Sequence, residues 1–455
     1  MSTTQRTTMP QLPFDRHLVG HLDSVMFTGA LTPHDLTTGR LVRSTADVPN
    51  GATADAKYGA MFLDIPGDAA LAQAWQIYTN LSTVLEAEGL PTSDLCRQRL
   101  LVRDLRDVPL IERVMDQFID AETVATTIVQ IGGDDLDDSI RVQLEGAAVR
   151  EGEKEVYRSP ELDMVTGRYP AMVRAGQFGF VSALPGINPE TGVPATGIDE
   201  LGENVDLFDP SPYRSSLQKA ILAQTWFTFQ HLRSTLELSD ATLGDVLKVT
   251  GWLNFPMRDF DPMRPVRAHL FSEPRWKTAS TALTVGPNTT EGAVHAFDAI
   301  ALINDPHGRG KEVRTDPSLI VPYYVGATSG GGAAFTCGEV PIDEDVPRAI
   351  NQPEELDGSD RLIRFGRLDI PTGIEARAAY VYEKLEGHLR HYGSSLDKVV
   401  YQVVYLEDMR EIAGLELVSR SVFPDGVPAT TTVPIGETSP FWQESRLEIE
   451  VIATT

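Results

Sequence analysis

Three stretches of the chain decide the fold: Ala125–Gly132 (A-T-T-I-V-Q-I-G), Ala279–Gly286 (A-S-T-A-L-T-V-G) and Ala429–Gly436 (A-T-T-T-V-P-I-G). One eight-residue likeness means little, so the test is whether other landmarks step along the chain at the same spacing. They do. Leu81 and Leu85 match Leu232 and Leu236, then Leu385 and Leu389. Phe118, Phe271 and Phe423 stand shortly before the motif, and Glu145, Asp298 and Glu450 shortly after it. Phe118 to Phe271 is 153 residues and Phe271 to Phe423 is 152; Glu145 to Asp298 is 153 and Asp298 to Glu450 is 152. A period shared by independent landmarks predicts one fold written three times.

Each period carries the same order of signals. A short apolar stretch comes first, Val25–Pro33, Phe178–Pro185 and Ala334–Pro341, and turns such as Thr38–Gly39 and Thr191–Gly192 fit a hairpin. A long amphipathic helix follows, with Trp75, Tyr78, Leu81 and Leu85 spaced by three and four. After a polar break at Leu90–Asp94 or Tyr392–Ser395 come apolar strands, Arg99–Arg103, Leu247–Trp252 and Val399–Leu406. A second helix ends at the landmark Phe. Two strands close the unit, the motif itself and Val142–Val149, Val294–Leu302 or Leu447–Ala453. The order β-β-α-β-α-β-β predicts an α+β fold with helices on one face of a mixed sheet. The expected organisation is a tail over 1–15, units over 16–150, 169–305 and 317–455, and linkers over 151–168 and 306–316. The linkers are placed where nothing repeats, because Glu151–Gly167 and Asp305–Asp316 are charged and lack an apolar period.

A chain of 455 residues has room for three domains. Its formal charge of −26 argues against a nucleic-acid partner, since such binding rests on Lys and Arg neutralising phosphates. No run of eighteen apolar residues occurs and Met1–Leu12 is polar, so neither export nor a membrane partner is expected and the cytoplasm is the expected location. Cys96 and Cys337 fall at non-equivalent positions and read as reduced thiols. Asp134, Asp135, Asp137 and Asp138 crowd one turn without the spacing of a calcium loop and read as a solvated tip. Gly330–Gly332 lacks the Lys-Ser/Thr of a phosphate loop, and neither H-E-x-x-H nor G-x-S-x-G occurs. No metal and no cofactor is expected.

Phe335–Pro341 (F-T-C-G-E-V-P), Pro428–Val433 (P-A-T-T-T-V) and Leu447–Ala453 (L-E-I-E-V-I-A) sit where S-G-x-x-P, P-A-R-[ST]-x-V and E-I-E-A-I-A would stand. The chain thus resembles the YjgF/RidA superfamily over nearly its whole length, three times, the second unit diverging most. The resemblance implies a chorismate-mutase-like fold and, because members are homotrimers with clefts between subunits, an intramolecular pseudo-trimer, monomeric or paired as a homodimer. Related three-unit arrangements occur in chorismatase-type and cyanuric-acid-hydrolase-type enzymes, whose diagnostic motifs have no match in this sequence. The family relation also implies a small-molecule substrate and cofactor-independent hydrolysis of enamines or imines. The family's carboxylate-binding arginine in P-A-R-[ST] is replaced by Thr126, Ser280 and Thr430. A hydroxyl supplies neither the charge nor the fork geometry. Lys277 and Arg275 lie outside the motif; either is a displaced anchor or a solvated strand-end charge, and the second reading is favoured because Lys and Arg are mostly exposed.

The three copies also serve as a control on one another. Every second residue of a strand shares a face, and on the last strand that face reads Arg141, Gln143, Glu145, then Val294, Ala296, Asp298, then Arg446, Glu448, Glu450. The outer carboxylate recurs in all three, which points to an inter-unit hydrogen bond or ion pair, and Glu450 is counted as a substrate-binding candidate as well. Only the third unit has an acid in the middle, so Glu448 is the first catalytic candidate. Glu450 beside it and partial burial would raise its pKa into the range of a general acid or base. The alternative is that Glu448 pairs with Arg446 or another cation and does no chemistry. Cys337 stands at the family's serine position and is the second catalytic candidate, although no His is placed to activate it and a buried, inert thiol is the competing reading. Thr430 and Thr432, at i and i+2, are substrate-binding candidates on one face. Thr432 replaces the cysteine of the family's R-[ST]-C, with Ile128 and Ala282 in the other units. His295 alternates away from Asp298 and reads as a surface or inter-unit residue. The resulting expectation is an enzyme hydrolysing or deaminating a C–N bond of an imine, enamine or amide-like compound. The rival is a non-catalytic metabolite-binding or scaffolding pseudo-trimer, and endoribonuclease activity is opposed by the charge.

Overall fold

A computed structural model describes residues 16–48, 65–131, 139–208, 214–303, 305, 310–314, 325–343, 348–352, 355–356, 373–437 and 444–455. The Asp134–Asp138 cluster lies outside them. The first sheet is built from β1 (Val19–Leu22), β2 (Val25–Thr28), β3 (Leu95–Val102), β4 (Ala125–Gln130) and β5 (Val142–Val149), with helices α1 (Ile65–Ala87) and α2 (Val108–Met115). The second holds β6 (Lys154–Tyr157), β7 (Met172–Ala175) and β8 (Phe178–Pro185), preceded by α3 (Pro160–Thr166) between β6 and β7. A two-residue ribbon, β9 (Ile187–Asn188) with β10 (Val193–Pro194), leads to α4 (Ser216–Glu237), β11 (Val246–Leu253), α5 (Met263–Leu270), β12 (Ala279–Thr284) and β13 (His295–Leu302). The third contains β14 (Glu312–Val313), β15 (Ala327–Gly330) and β16 (Ala333–Thr336). A second ribbon, β17 (Ile342–Asp343) with β18 (Arg348–Ala349), precedes α6 (Gly373–Arg390), β19 (Val399–Leu406), α7 (Ile412–Val422), β20 (Ala429–Pro434) and β21 (Leu447–Thr454).

The strand orders are β1-β2-β5-β3-β4, β12-β11-β13-β8-β7-β6 and β14-β15-β16-β21-β19-β20. In each sheet the closing strand runs antiparallel to the central strand, and the central strand runs parallel to the motif strand. A parallel pair needs a crossover, which α2, α5 and α7 supply. Even the irregularities coincide: the central strands shift register between Leu95 and Arg97, Val246 and Lys248, and Val399 and Tyr401. The turn between β15 and β16 needs backbone of positive φ, and Gly331 (60°) and Gly332 (77°) provide it.

Each sheet packs its own helices on one face. The landmark phenylalanines explain themselves there, since Phe118, Phe271 and Phe423 set their rings 5.8, 5.3 and 5.6 Å from Tyr78, Phe229 and Tyr382 of the long helices. On the other face the three sheets share one apolar core, drawing Phe27 from the first, Phe178 and Phe180 from the second, and Phe335, Tyr401 and Tyr405 from the third. Phe27 stacks on Tyr401 at 5.4 Å and meets Phe180 edge-on at 6.2 Å. Among the described residues no helix is long and apolar enough to cross a membrane.

Four expectations require correction. Glu151–Gly167 is not bare linker: it forms β6, which pairs with β7 at the edge of the second sheet, and α3. Part of the second linker likewise forms β14, paired with β15. The first central strand starts at Leu95 rather than Arg99, because two buried arginines interrupt its apolar run. His295 is fully buried, not at the surface; burial pushes its imidazole down to about 4, and Thr225 Oγ1 lies 3.2 Å from its Nε2.

Candidate functional site

The inner faces of the three central strands carry side chains of different chemistry at matching positions. Counting from each strand's first residue, β3 presents Arg97, Arg99 and Leu101, β11 presents Lys248, Thr250 and Trp252, and β19 presents Tyr401, Val403 and Tyr405. The closing strands supply Glu145, Asp298 and Glu450 opposite them. Arg99 joins two sheets, donating to Glu145 Oε1 at 2.7 Å and to Asp298 Oδ1 at 2.9 Å, and it lies 4.7 Å from the Trp252 ring. Trp252 Nε1 donates to Asp298 Oδ2 at 2.9 Å, and the Tyr401 hydroxyl of the third sheet reaches Glu145 Oε2 at 2.5 Å. Burial opposes charge on Asp298, but Arg99 and Arg97 outweigh it and hold the carboxyl below its ordinary range. A cavity of about 20 Å³ at this junction is lined by Arg97, Arg99, Lys248, Thr336, Tyr401 and Glu450 among others, room for one water molecule.

Glu450 sits in the same network. Lys248 Nζ of the second sheet lies 2.7 Å from Glu450 Oε2, Thr281 donates to that oxygen as well, and the Tyr405 hydroxyl donates to Oε1 at 3.1 Å. Burial raises its pKa, Lys248, Thr281 and Arg99 together more than reverse this, and the net shift is downward. Both oxygens are thus engaged within the protein, which makes Glu450 a counter-ion between sheets rather than a group facing outward.

Glu448, two residues earlier on the same face, is also buried, yet among the described residues its Oε2 has no hydrogen-bond partner. Its Oε1 packs on Gly338, where a Cβ would collide with it. The expected alternative partner is occupied elsewhere: Arg446 lies 3.3 Å from both Asp408 and Glu411. Desolvation, then repulsion from Glu450, outweighs the pull of Lys248 and pushes the Glu448 carboxyl well above its ordinary range. The next acid, Glu339, behaves oppositely. Lys384 and His388, 2.8 and 2.9 Å away, overcome its burial and hold it at about 2.

Cys337 is fully buried; its Sγ donates to the Val325 carbonyl and accepts from Ser280 N at 3.2 Å. Gly338 N also donates to Ser280 O at 3.4 Å. Cys337 and Gly338 therefore meet the motif strand of the second sheet, and Glu448 packs on Gly338 beside them. Thr430 and Thr432 do not join them. In register, Thr430 stands beside Gln402 and Thr432 beside Val404, whereas Glu448 stands beside Tyr405 and Glu450 beside Val403. Paired residues project to one face and chain neighbours to opposite faces, so the threonines lie on the helix side of the sheet. Thr430 accepts from Gln402 Nε2 at 2.9 Å, and Gln402 accepts from the Tyr382 hydroxyl at 3.0 Å. The first sheet repeats that chain as Thr126, Gln98 and Tyr78. The single site expected from Glu448, Cys337, Thr430 and Thr432 is therefore two places, because periodicity along a strand does not reveal which face its neighbour shares.

The second place adjoins the first sheet: Ala30 N donates to Thr430 O at 3.2 Å, and Arg16 pairs with Glu416 and donates to Thr432 Oγ1 at 3.3 Å. Burial lowers Arg16 to about 10. Arg275 is a mostly exposed strand-end cation, with Glu273 3.9 Å away. Sequence reasoning missed Arg16 and the cations Arg97, Arg99 and Lys248; the available signal was charge at alternating positions inside otherwise apolar strands. Among the described residues no group of His, Cys, Asp and Glu is arranged to hold a metal ion.

A family model described as Endoribonuclease L-PSP matches residues 314–455. Among curated proteins, the mitochondrial protein Mmf2 of Schizosaccharomyces pombe is 34% identical over 84 residues, 18% of this chain and 67% of Mmf2. A 2-iminobutanoate/2-iminopropanoate deaminase of Dermatophagoides farinae is 32% identical over 79 residues, 17% of this chain and 60% of that protein. Among solved structures, a chorismatase aligns over 79% of this chain and 93% of its own length, at 13% identity and a TM-score of 0.44.

Proposed function

The chain belongs to the YjgF/RidA superfamily, and on that premise we propose that its three sheets are tandem units closed into an intramolecular pseudo-trimer whose second-to-third contact hydrolyses a C–N bond. The repeated strand order and the coincident register shifts support the first part. For the second, the observation that carries the reading is Glu448, a buried carboxyl with an oxygen unpartnered among the described residues, at the one inter-sheet contact that has an acid in this position. Gln143 and Ala296 stand in its place in the other two sheets.

In this reading Glu448 is protonated and donates to the nitrogen of an imine, or to the carbon of an enamine, giving an iminium ion in either case. Water then adds to the carbon and returns a proton to the carboxylate, and the carbinolamine expels ammonia or amine to leave a carbonyl. The mite relative is named for 2-iminobutanoate and 2-iminopropanoate. The present chain lacks the family's arginine, so its substrate belongs to the broader class of imines, enamines or amide-like compounds. Release of ammonia or amine from freshly generated 2-iminopropanoate and from uncharged imines tests the proposal. Glu448→Gln is expected to lower turnover by about 100-fold or more, the scale of a lost general acid, and unchanged turnover sinks it.

A second reading, a non-catalytic binding or scaffolding protein, draws on the interfaces themselves. Thr126 N bonds Ser182 Oγ at 2.9 Å, Ala30 N bonds Thr430 O, and Ser280 bonds Cys337 and Gly338, so all three contacts are bridged by direct hydrogen bonds. Absence of turnover of every C–N substrate, with metabolites still raising the melting temperature, would favour it. Endoribonuclease activity, the description of the matching family model, is opposed by the net charge of −26.

A further inference from the structure

Two carboxylates two residues apart on one buried strand face cannot both ionise cheaply. The environment decides which one keeps the proton, and here it supplies donors to one and not to the other. Glu450 receives Lys248 Nζ, the Thr281 hydroxyl and the Tyr405 hydroxyl. Glu448 receives none on Oε2 among the described residues. Lys248 has no donor to spare, because its ammonium also bonds Thr281 Oγ1 at 2.6 Å and the Thr336 carbonyl at 2.7 Å. No other cation answers Glu448 among the described residues: Arg446 faces Asp408 and Glu411, Lys384 and His388 face Glu339, and the Glu339 carboxylate adds to the repulsion that keeps Glu448 protonated.

We infer that Lys248, on the second sheet, is a positioning residue for Glu448 on the third: by drawing the negative charge of the carboxylate pair onto Glu450, it leaves Glu448 an uncharged acid. A proton-donating group and the cation that fixes its protonation would then come from different sheets. This builds on the reading above only in taking Glu448 as the working group, and its test needs no substrate.

Infrared spectra of the full chain at pH 7.5 should show a protonated-carboxyl C=O band that disappears in Glu448→Gln. Lys248→Met is expected to add a second such band, from Glu450 once its cation is gone, while Lys248→Arg leaves one. Should Lys248→Met fail to fold, Glu450→Gln gives an independent readout: the freed ammonium becomes the partner of Glu448, which ionises, and its band is lost. A wild-type band that survives Glu448→Gln, or a band unmoved by both Lys248→Met and Glu450→Gln, overturns the inference. Loss of the proposed hydrolysis with these bands behaving as expected would remove the enzyme reading alone. Glu448-dependent hydrolysis with bands that ignore Lys248 and Glu450 would remove the positioning role alone.

Discussion

Arg99 is the residue whose loss should be felt most widely, because it is buried and holds carboxylates of two sheets at once. Removing one partner of such a network leaves charges desolvated and unpaired, so Arg99→Met is expected to cost about 3–5 kcal/mol in chemical denaturation. Glu448 gives the opposite kind of signal. Its folded pKa is raised above the unfolded value, so the folded state binds the extra proton and the cost of Glu448 grows as pH climbs above the ordinary carboxylate range of about 4.3. Glu448→Gln should therefore raise the melting temperature more at pH 8 than at pH 5; an equal shift at both would mean that Glu448 is ionised in the fold. Glu448 stood out in the sequence because three similar stretches could be compared at one strand position, and the structure buries it. That Thr430 and Thr432 turn away from it was not, since the answer depends on the pairing of β20 with β19 and of β19 with β21, which no single strand encodes.

At the scale of elements, the landmark phenylalanines, the long helices and the motif strands could be read from apolar spacing, because each buries a face against a neighbour. The elements that escaped are those held by backbone pairing or by buried charge. β6 lies at a sheet edge with mostly exposed side chains, so its hydrogen bonds to β7 leave no apolar pattern. β3 conceals its first half behind Arg97 and Arg99, residues that ordinarily mark a surface. Close approach between elements is likewise invisible until the fold is seen. β1 of the first sheet runs against β19 of the third so closely that a methyl group on Gly20 would strike the Val400 carbonyl. Gly20→Ala is expected to lower stability by about 1–3 kcal/mol, the range of core overpacking, seen as a lower denaturant midpoint.

For the whole molecule, the shared core makes the three sheets interdependent. Trp252 sits at their junction, 6.4 Å from Tyr405 of the neighbouring sheet. Tryptophan fluorescence and far-UV circular dichroism are expected to lose signal in one coincident transition; separate midpoints would show that the sheets unfold independently. The unequal inner strands carry a further consequence. Three copies of β3 around one centre would bring together six arginines, two from each, against three copies of Glu145; three copies of β19 and β21 would gather six glutamates and no cation from those strands. No sheet could now serve as its own neighbour. The division of charge, with Arg97 and Arg99 on β3, Lys248 on β11 and no cation on β19, makes each sheet complementary to a different neighbour, so exchanging one for a duplicate of another is expected to leave like charges buried together.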